Sequence, residues 1–185
     1  MKSCSSGAKL TIVCGLPGSG KTTHARELQL RSRATRFCPD EWIHALSLDC
    51  WDEDNREKIE SLQWQLGQQL LDFGLTVIIE WGTWARCERD ALRLRARELG
   101  AAVELHYLSA PVEILLHRVQ RRAMKNPVIQ REQLLQWASA FQEPTAEESS
   151  LFDKFLILQA SDLLKITDAL IEGGLVPMCK LLGSD

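Results

Sequence analysis

The chain has 185 residues, of which 45% are hydrophobic and 25% are charged, as is typical of one soluble globular domain. Its formal net charge of −3 argues against broad attraction to nucleic acid or to membranes. No stretch is apolar for long enough to span a membrane, and the first residues lack the apolar run of a signal peptide. We therefore expect a single cytoplasmic domain that spans residues 1–185.

The six cysteines form no C-x-x-C pair, so we expect no zinc site and reduced thiols. Cys14 and Cys38 fall in predicted strands, where a cysteine usually serves as a small core residue. The four histidines show no metal-ligand spacing, and we assign none of them a catalytic role.

The first predicted strand, Lys9–Cys14 (KLTIVC), runs into a glycine-rich loop and then a helix that begins near Thr23. The loop GLPGSGKT fits G-x-x-x-x-G-K-[ST], the phosphate-binding P-loop. Its glycines let backbone N–H groups approach an anion, and the helix N-terminus adds the positive end of a dipole. The motif predicts binding of a nucleoside triphosphate, but it does not separate a kinase from an ATPase or a switch GTPase.

Within this loop, the Lys21 ammonium can reach the β- and γ-phosphates, and the Thr22 hydroxyl can ligate Mg²⁺. The residues expected to hold the nucleotide are Gly15, Pro17, Gly18, Ser19, Gly20, Lys21, Thr22 and Thr23.

Strands and helices alternate along the rest of the chain. Further strands are predicted at 34–38, 75–79, 101–108 and 155–158. Helices are predicted at 42–48, 59–73, 84–99, 111–124, 131–141 and 162–171. Asp40 and Thr83 are placed to cap two of these helices. The alternation predicts an α/β fold with a mostly parallel five-stranded sheet and helices on both faces.

Two carboxylates follow predicted strands, at the sheet edge where ligands bind in parallel α/β folds. Asp40 is a candidate general base that would accept the proton of an acceptor hydroxyl, or it is a simple helix cap. Glu80 ends the most apolar strand (LTVII) and would hold Mg²⁺ or form a salt bridge at the rim of the sheet. We expect the neighbouring Glu41 to be solvated.

Basic and aromatic residues supply further candidates. Arg118 and Arg122 lie four residues apart on one helix and so share a face. They could contact the transferred phosphoryl group as a lid, or they could form a solvated helix end. The helix that follows Glu80 begins with Arg86 and Arg89, one of which could face the substrate. Several tryptophans near loop ends could form an aromatic substrate wall, although tryptophan is more often a core residue. The candidate substrate contacts are Asp40, Trp42, Trp84 and Arg86.

Five segments together carry a family resemblance. They are GLPGSGKTT, PDEW, VIIEWGTWARCERDALRLRARELGA, LLHRVQRR and FQEPTAEE. In this order they resemble the small bacterial P-loop kinases of the zeta-toxin and polynucleotide-kinase-like group, which include proteins called AAA family ATPases or predicted kinases. The likeness covers about Leu10 to Glu148, without AAA+ oligomerisation or sensor elements.

The resemblance implies a three-layer P-loop NTPase fold with a short helical lid at about 118–135. Beyond the last predicted helix, which ends at Gly173-Gly174, we expect a tail at about 173–185. It implies ATP with Mg²⁺ and transfer of the γ-phosphate to a hydroxyl. Lys21 and Thr22 match the family's phosphate and metal residues, and Asp40 matches its proposed base. Arg118 and Arg122 match its lid arginines.

The acceptor is not determined by these matches. Phage-type polynucleotide kinases carry an arginine three residues after the aspartate, where this chain has Ile43. Because that arginine helps hold the nucleic-acid phosphate, its replacement and the acidic pI favour a small hydroxyl compound as acceptor. The alternatives are a polynucleotide 5′-hydroxyl kinase and a nucleotide-dependent ATPase or switch with a protein partner. A guanine-reading N-K-x-D stretch does not occur in the chain.

Overall fold

The computed structural model describes residues 7–122 and 129–159. Its strands are Lys9–Cys14 (β1), Thr35–Phe37 (β2), Thr76–Ile79 (β3), Ala102–Ser109 (β4) and Lys154–Gln159 (β5). Its helices are Lys21–Ser32 (α1), Pro39–Ala45 (α2), Glu53–Asp72 (α3), Arg86–Glu98 (α4), Val112–Arg122 (α5), Arg131–Ala140 (α6) and Ala146–Ser149 (α7). The helix predicted at 162–171 and the tail at 173–185 lie outside the described residues.

The five strands form one sheet in the order β2-β3-β1-β4-β5, and every neighbouring pair is parallel. β1 is therefore the central strand, and its carboxyl end lies between the ends of β3 and β4. The predicted α/β fold with a parallel five-stranded sheet is confirmed. None of the helices in the described ranges is long and apolar enough to cross a membrane.

Alternate residues of β1 face two different layers, as the period of a strand requires. Leu10, Ile12 and Cys14 belong to the larger core, together with residues of α3 and α4. Val13 points the other way and packs with Ala25 of α1. The sheet thus carries helices on both faces, as predicted. The continuous apolar character of β1 follows from this burial on both sides.

The buried face of α3 differs from the predicted leucine stripe. Ile59, Leu62, Leu66, Leu70 and Phe73 recur at helical spacing and predict one buried stripe; the buried residues observed are Ile59, Gln63, Gly67 and Leu71. Leu62, Leu66 and Phe73 are exposed. At Gly67 an added Cβ would lie 3.5 Å from the Phe37 ring, an ordinary van der Waals contact. The buried face of α3 therefore differs from the predicted one and includes the polar side chain of Gln63.

Both predicted helix caps are corrected by the structure. α2 begins at Pro39 with Cys38 as its N-cap, because proline suits the first helical position, where its fixed φ is helical and an N–H would have no intrahelical partner. Asp40 therefore lies inside the first turn. α4 begins at Arg86, two residues later than predicted, and its N-cap is Ala85. Thr83 instead lies in the preceding loop with a φ of 41°.

Arg89 is a buried cation that holds this loop and α7 against α4. Its guanidinium donates to the Glu148 carboxylate at 2.6 and 2.9 Å and to the carbonyl of Thr83 at 2.9 Å. Both charged side chains are fully buried, at 0% exposure. Burial alone would lower the pKa of Arg89, but its hydrogen bonds to the Glu148 carboxylate raise it above its ordinary value. Arg89 is therefore a structural residue, and the prediction that it could face the substrate is wrong.

Removal of the Arg89 side chain should destabilise the protein strongly. Arg89→Ala leaves the Glu148 carboxylate buried and unpaired, which typically costs about 3–5 kcal/mol of the free energy of unfolding. Arg95→Ala is the matched control, since Arg95 forms an exposed pair with Glu98 and such pairs are worth less than about 1 kcal/mol. Urea unfolding monitored by tryptophan fluorescence measures both. Equal losses in the two variants would contradict the prediction.

Two histidines meet on the α1 side of the sheet. His24 Nε2 of α1 lies 2.8 Å from His106 Nδ1 of β4, and both residues are buried. Burial, and secondarily the charge of His106, lowers the pKa of His24 to about 4. Burial also lowers the pKa of His106, although Glu104 opposes this shift. The pair is therefore neutral in the folded protein at neutral pH.

The free energy of unfolding should fall as the pH drops from about 6.5 toward 4. In that window the unfolded chain binds a proton at His24, with an ordinary pKa of 6.5, whereas the folded chain does not until about 4. The loss is on the order of 3 kcal/mol. His24→Gln should flatten the slope of a urea-unfolding series against pH, and His117→Gln, on exposed α5, should not. A slope that persists in His24→Gln would refute this assignment.

Candidate active site

The P-loop joins β1 to α1 and is held in shape by two close backbone contacts. Gly15 has a φ of 140°, and a Cβ there would lie 2.4 Å from the Leu108 carbonyl oxygen of β4. Gly18 has a φ of 84°, and its Cβ would lie 2.9 Å from the Leu115 carbonyl oxygen of α5. Only glycine fits at these two positions. The loop is consequently fixed between the central strand and the helix that carries Arg118.

Two polar side chains of the loop suit an anion. Lys21, the first residue of α1, folds back so that its Nζ donates to the carbonyls of Gly15 at 2.8 Å and Leu16 at 3.2 Å. The Ser19 hydroxyl is buried and has no hydrogen-bond partner among the described residues. A phosphate oxygen would satisfy that hydroxyl and would place negative charge beside the ammonium and the α1 N-terminus.

Glu80 is the buried carboxylate at the end of β3. One of its oxygens accepts a hydrogen bond from the Thr22 hydroxyl, and the other accepts from Arg36 Nη1 at 2.5 Å. The side chains of Glu80 and Arg36 are only 3% and 6% exposed. Arg36 lies in register with Ile78, so Arg36 and Glu80 share the α1 side of the sheet. Of the two roles weighed for Glu80, the salt bridge is present, and the role toward Mg²⁺ stays a prediction.

Arg36 extends this network to α2. Its Nη2 donates to both carboxylate oxygens of Glu41 at 2.6 Å, and Arg26 of α1 reaches the same carboxylate at 2.8 Å. Burial opposes the charge of Arg36, but Glu41 and Glu80 raise its pKa. Burial also opposes the charge of Glu41, and the two arginines lower its pKa. Glu41 is exposed, as expected, but it also pairs with two arginines, which the sequence did not predict.

The oxygens of Thr22 and Glu80 fit a Mg²⁺ ion. Magnesium prefers hard oxygen ligands and is usually held by one or two carboxylates together with phosphate oxygens and water. The described residues contain no group of three or more metal-binding side chains that could hold an ion unaided. The pair therefore suits an ion that arrives with a nucleotide phosphate.

A cleft of about 1230 Å³ opens beside the P-loop. Eight of the residues predicted to act at the site line it: Pro17, Gly18, Gly20, Lys21, Thr22, Asp40, Glu80 and Trp84. They come from the ends of three different strands and from the segments that follow them. The carboxyl edge of the parallel sheet brings together residues that are far apart in the sequence, as is usual for this architecture.

Asp40 lies in the first turn of α2 with its side chain 75% exposed. Its carboxylate accepts a hydrogen bond from Arg56 of α3, and Arg56 also contacts Glu60 at 3.5 Å. Burial opposes the charge of Arg56, and the Asp40 carboxylate raises its pKa. An exposed carboxylate that is held by a neighbouring arginine can accept a proton from a group bound in the cleft.

The remaining predicted residues lie in other surroundings. Trp42 is partly buried and packs edge-on against Phe37, with ring centroids 6.2 Å apart. Arg86 pairs with Asp90 and with Glu147. Neither Trp42 nor Arg86 lines the cleft, so the structure does not support them as substrate contacts.

Of the two predicted lid arginines, the structure describes the side chain of Arg118 alone. Arg118 Nη1 donates to the Gly18 carbonyl at 3.3 Å, so this side chain reaches the P-loop. The side chain of Arg122 lies outside the described residues.

Sequence reasoning missed two arginines that organise the site, Arg36 and Arg56. Each had a signal. Arg36 interrupts a short strand beside an apolar neighbour, and an arginine in that position needs a carboxylate partner. Arg56 and Glu60 stand four apart on one helix, a spacing that favours ion pairs. Their long-range partners, Glu80 and Asp40, cannot be identified from spacing because they lie on separate elements.

Residues 10–144 match the model of the AAA domain family AAA_33, and the chain belongs to that family. With the Gly15–Thr22 loop, this makes it a nucleotide-binding P-loop domain. No curated protein matches the chain significantly. The narrower likeness to the zeta-toxin and polynucleotide-kinase group stays a prediction.

Several solved structures share the fold. A sugar kinase from Janibacter sp. HTCC2649 is 20% identical with a TM-score of 0.58, and the match covers 89% of this chain and 93% of that one. Kti12 from Chaetomium thermophilum, solved with ADP-AlF3, is 16% identical with a TM-score of 0.60, covering 88% and 97%. A gluconokinase from Sinorhizobium meliloti 1021 is 15% identical with a TM-score of 0.53, covering 90% and 98%. At these identities the likeness concerns the fold.

Loss of Arg36 should be more damaging than loss of Arg26, although both contact Glu41. Arg36→Met leaves Glu80 buried without its cation, at an expected cost of about 3–5 kcal/mol in the free energy of unfolding. Arg26 is exposed, so Arg26→Met should cost less than about 1 kcal/mol. Because removal of both charges is better tolerated than removal of one, Arg36→Met with Glu80→Gln should recover part of the loss. Urea unfolding of the wild type, the two single variants and the double variant measures these free energies of unfolding. A double variant less stable than Arg36→Met would contradict the prediction.

Proposed function

We propose that the chain is an ATP-dependent kinase that transfers the γ-phosphate of ATP·Mg²⁺ to a hydroxyl of a small molecule. The observation that carries the proposal is the shared cleft. It brings the P-loop residues Lys21 and Thr22 together with a buried, paired carboxylate, Glu80, and an exposed one, Asp40. A metal-side carboxylate and a separate base are the two acidic groups that phosphoryl transfer to a hydroxyl uses.

The nucleotide end of the cleft binds and orients phosphate. The backbone of the P-loop, the Ser19 hydroxyl and the Lys21 ammonium surround the β- and γ-phosphates. Thr22 and Glu80 would hold Mg²⁺, which neutralises phosphate charge when it is bound. Arg36 fixes the Glu80 carboxylate. This side chain is therefore already ordered when the nucleotide binds.

The acceptor end of the cleft activates the hydroxyl. The acceptor oxygen attacks the γ-phosphorus and forms a new O–P bond, while the bond from that phosphorus to the β–γ bridging oxygen breaks and ADP leaves. Asp40 accepts the proton of the hydroxyl, and Arg56 holds the Asp40 carboxylate at the cleft. Arg118, which reaches the P-loop at Gly18, stabilises the charge of the transferred group. The same role for Arg122 stays a prediction from the sequence.

Solved structures with this fold support the proposed type of reaction. Two of the structures that share the fold are a sugar kinase and a gluconokinase, and a third was solved with ADP-AlF3. Kinases of hydroxyl-bearing small molecules therefore occur on this fold. A polynucleotide acceptor gains no support from the cleft, because Asp52, Glu53 and Glu57 on its wall would repel a phosphate backbone. A cytoplasmic location stays a prediction.

Two substitutions should separate nucleotide binding from chemistry. Lys21→Ala and Asp40→Asn should both reduce phosphoryl transfer, because one removes a phosphate contact and the other removes the base. Only Lys21→Ala should strongly weaken ATP·Mg²⁺ binding. In Asp40→Asn, kcat should fall by roughly a hundredfold or more, with the ATP Kd little changed. Asp54→Asn, an exposed position on α3, is the matched control.

Transfer of label from γ-labelled ATP to pooled hydroxyl compounds, together with ATP titration calorimetry, measures these effects. An unchanged kcat in Asp40→Asn would show that Asp40 is not the general base. Wild-type transfer by Lys21→Ala would contradict the proposed function.

A further inference from the structure

Five tryptophans line the cleft beside the P-loop. They are Trp51, Trp64, Trp81, Trp84 and Trp137. Trp81 Nε1 donates to the buried Gln63 side chain at 2.9 Å, which fixes the orientation of that indole. The rings of Trp84 and Trp137 lie with centroids 6.0 Å apart, so they join the loop before α4 to α6. Indole rings bind sugar faces and are the best aromatic partners of a cation.

Carboxylates share this wall with the tryptophans. Besides Glu80, six of them line the cleft: Asp40, Asp52, Glu53, Glu57, Glu60 and Glu88. Among the described lining residues, the cations are Arg56 and the P-loop residue Lys21. The wall therefore carries a large excess of negative charge beside aromatic rings.

Glu60 shows how crowded these carboxylates are. Burial raises the pKa of Glu60, the charges of Glu88 and Asp40 raise it further, and Arg56 lowers it. Arg56 is also shared, because it contacts Asp40 as well as Glu60. A cation bound in the cleft would relieve the repulsion that remains.

Thr83 supplies an independent polar group for a ligand. It lines the cleft and is 6% exposed, and its hydroxyl has no hydrogen-bond partner among the described residues. Its φ of 41° is a left-handed conformation that a β-branched residue rarely adopts. The hydrogen bond from buried Arg89 to its carbonyl holds it there. Strain of this kind persists where the surrounding structure fixes a functional position.

We propose that the acceptor is a hydroxyl compound that carries protonated amines, of the amino-sugar or aminoglycoside class. This inference rests on the proposed function, since it assigns the acceptor of the same cleft. The ammonium groups contact Glu60, Glu88 and the indole faces, and the Thr83 hydroxyl bonds a polar group of the acceptor. The amine is not consumed: it directs a hydroxyl toward Asp40 and the γ-phosphate, and only that hydroxyl is phosphorylated.

The charge of the wall discriminates against other acceptors. A sugar phosphate, a nucleotide or an acid such as gluconate would bring negative charge against six carboxylates. A neutral sugar could stack on the tryptophans, but it would leave the repulsion around Glu60 uncompensated. Acceptors with protonated amines can make cation–π contacts with the tryptophans and ion pairs with the carboxylates of the wall.

Matched ligand pairs test the inference. The probes are glucosamine against glucose and kanamycin against its fully N-acetylated form, with gluconate as the anion. Binding is measured by tryptophan fluorescence, and transfer is measured separately with γ-labelled ATP. We expect each amine to bind at least about tenfold more tightly than its neutral partner in the wild-type protein. Glu60→Gln should remove most of this preference while it leaves the affinity for the neutral partners unchanged.

Glu98→Gln, at an exposed position on α4, is the control and should keep the preference. A thermal melt confirms that Glu60→Gln is folded, and its unchanged neutral-ligand affinity would exclude general damage. Equal or weaker binding of the amines, or no binding of any probe, would overturn the inference. Transfer to glucose or gluconate as efficient as to the amines would also overturn it while supporting kinase activity. Selective amine binding without transfer would support the amine site and contradict the proposed function.

Discussion

The ion pair between Arg36 and Glu80 is the interaction on which the arrangement of the site depends. Both side chains are almost fully withdrawn from water, and a buried charge is tolerated only while its partner stays in place. Glu80 is tied to Thr22 at the start of α1, and Arg36 is tied to Glu41 on α2, the helix that carries Asp40. One buried pair thus links the P-loop, the metal-side carboxylate and the segment with the candidate base, and it places them before any ligand binds.

The charges of the cleft are divided between its two ends. The phosphate end presents the N–H groups of the P-loop, the N-terminus of α1 and the Lys21 ammonium, all of which favour an anion. The other end presents carboxylates and indoles. An anionic nucleotide and a cationic acceptor would match this distribution of charge. The electrostatic field of the cleft would then orient the acceptor before the reaction. Arg56, which lies among the carboxylates, holds Asp40 instead of neutralising the whole wall.

Local patterns were sufficient to predict the sheet and the P-loop. KLTIVC and LTVII are continuous apolar runs because parallel strands are buried on both faces, and the G-x-x-x-x-G-K-T spacing defines its own backbone path. Pairings between distant residues could not be predicted in this way. Arg89 and Glu148 are 59 positions apart, so nothing in the local sequence distinguishes this buried arginine from the exposed ones on the same helix. The buried stripe of α3 was mispredicted because leucines suggested it, whereas the buried positions include Gln63 and Gly67, which carry no apolar signal.

The most direct test of the account is the fate of the γ-phosphate. The protein would be incubated with ATP·Mg²⁺ and the acceptor pool in water enriched in heavy oxygen, and the products would be followed by phosphorus NMR and mass spectrometry. The account predicts an acceptor phosphate ester that contains no oxygen from the solvent, together with ADP. Inorganic phosphate that carries solvent oxygen, with no ester, would show that water is the acceptor and would contradict the assignment of a kinase.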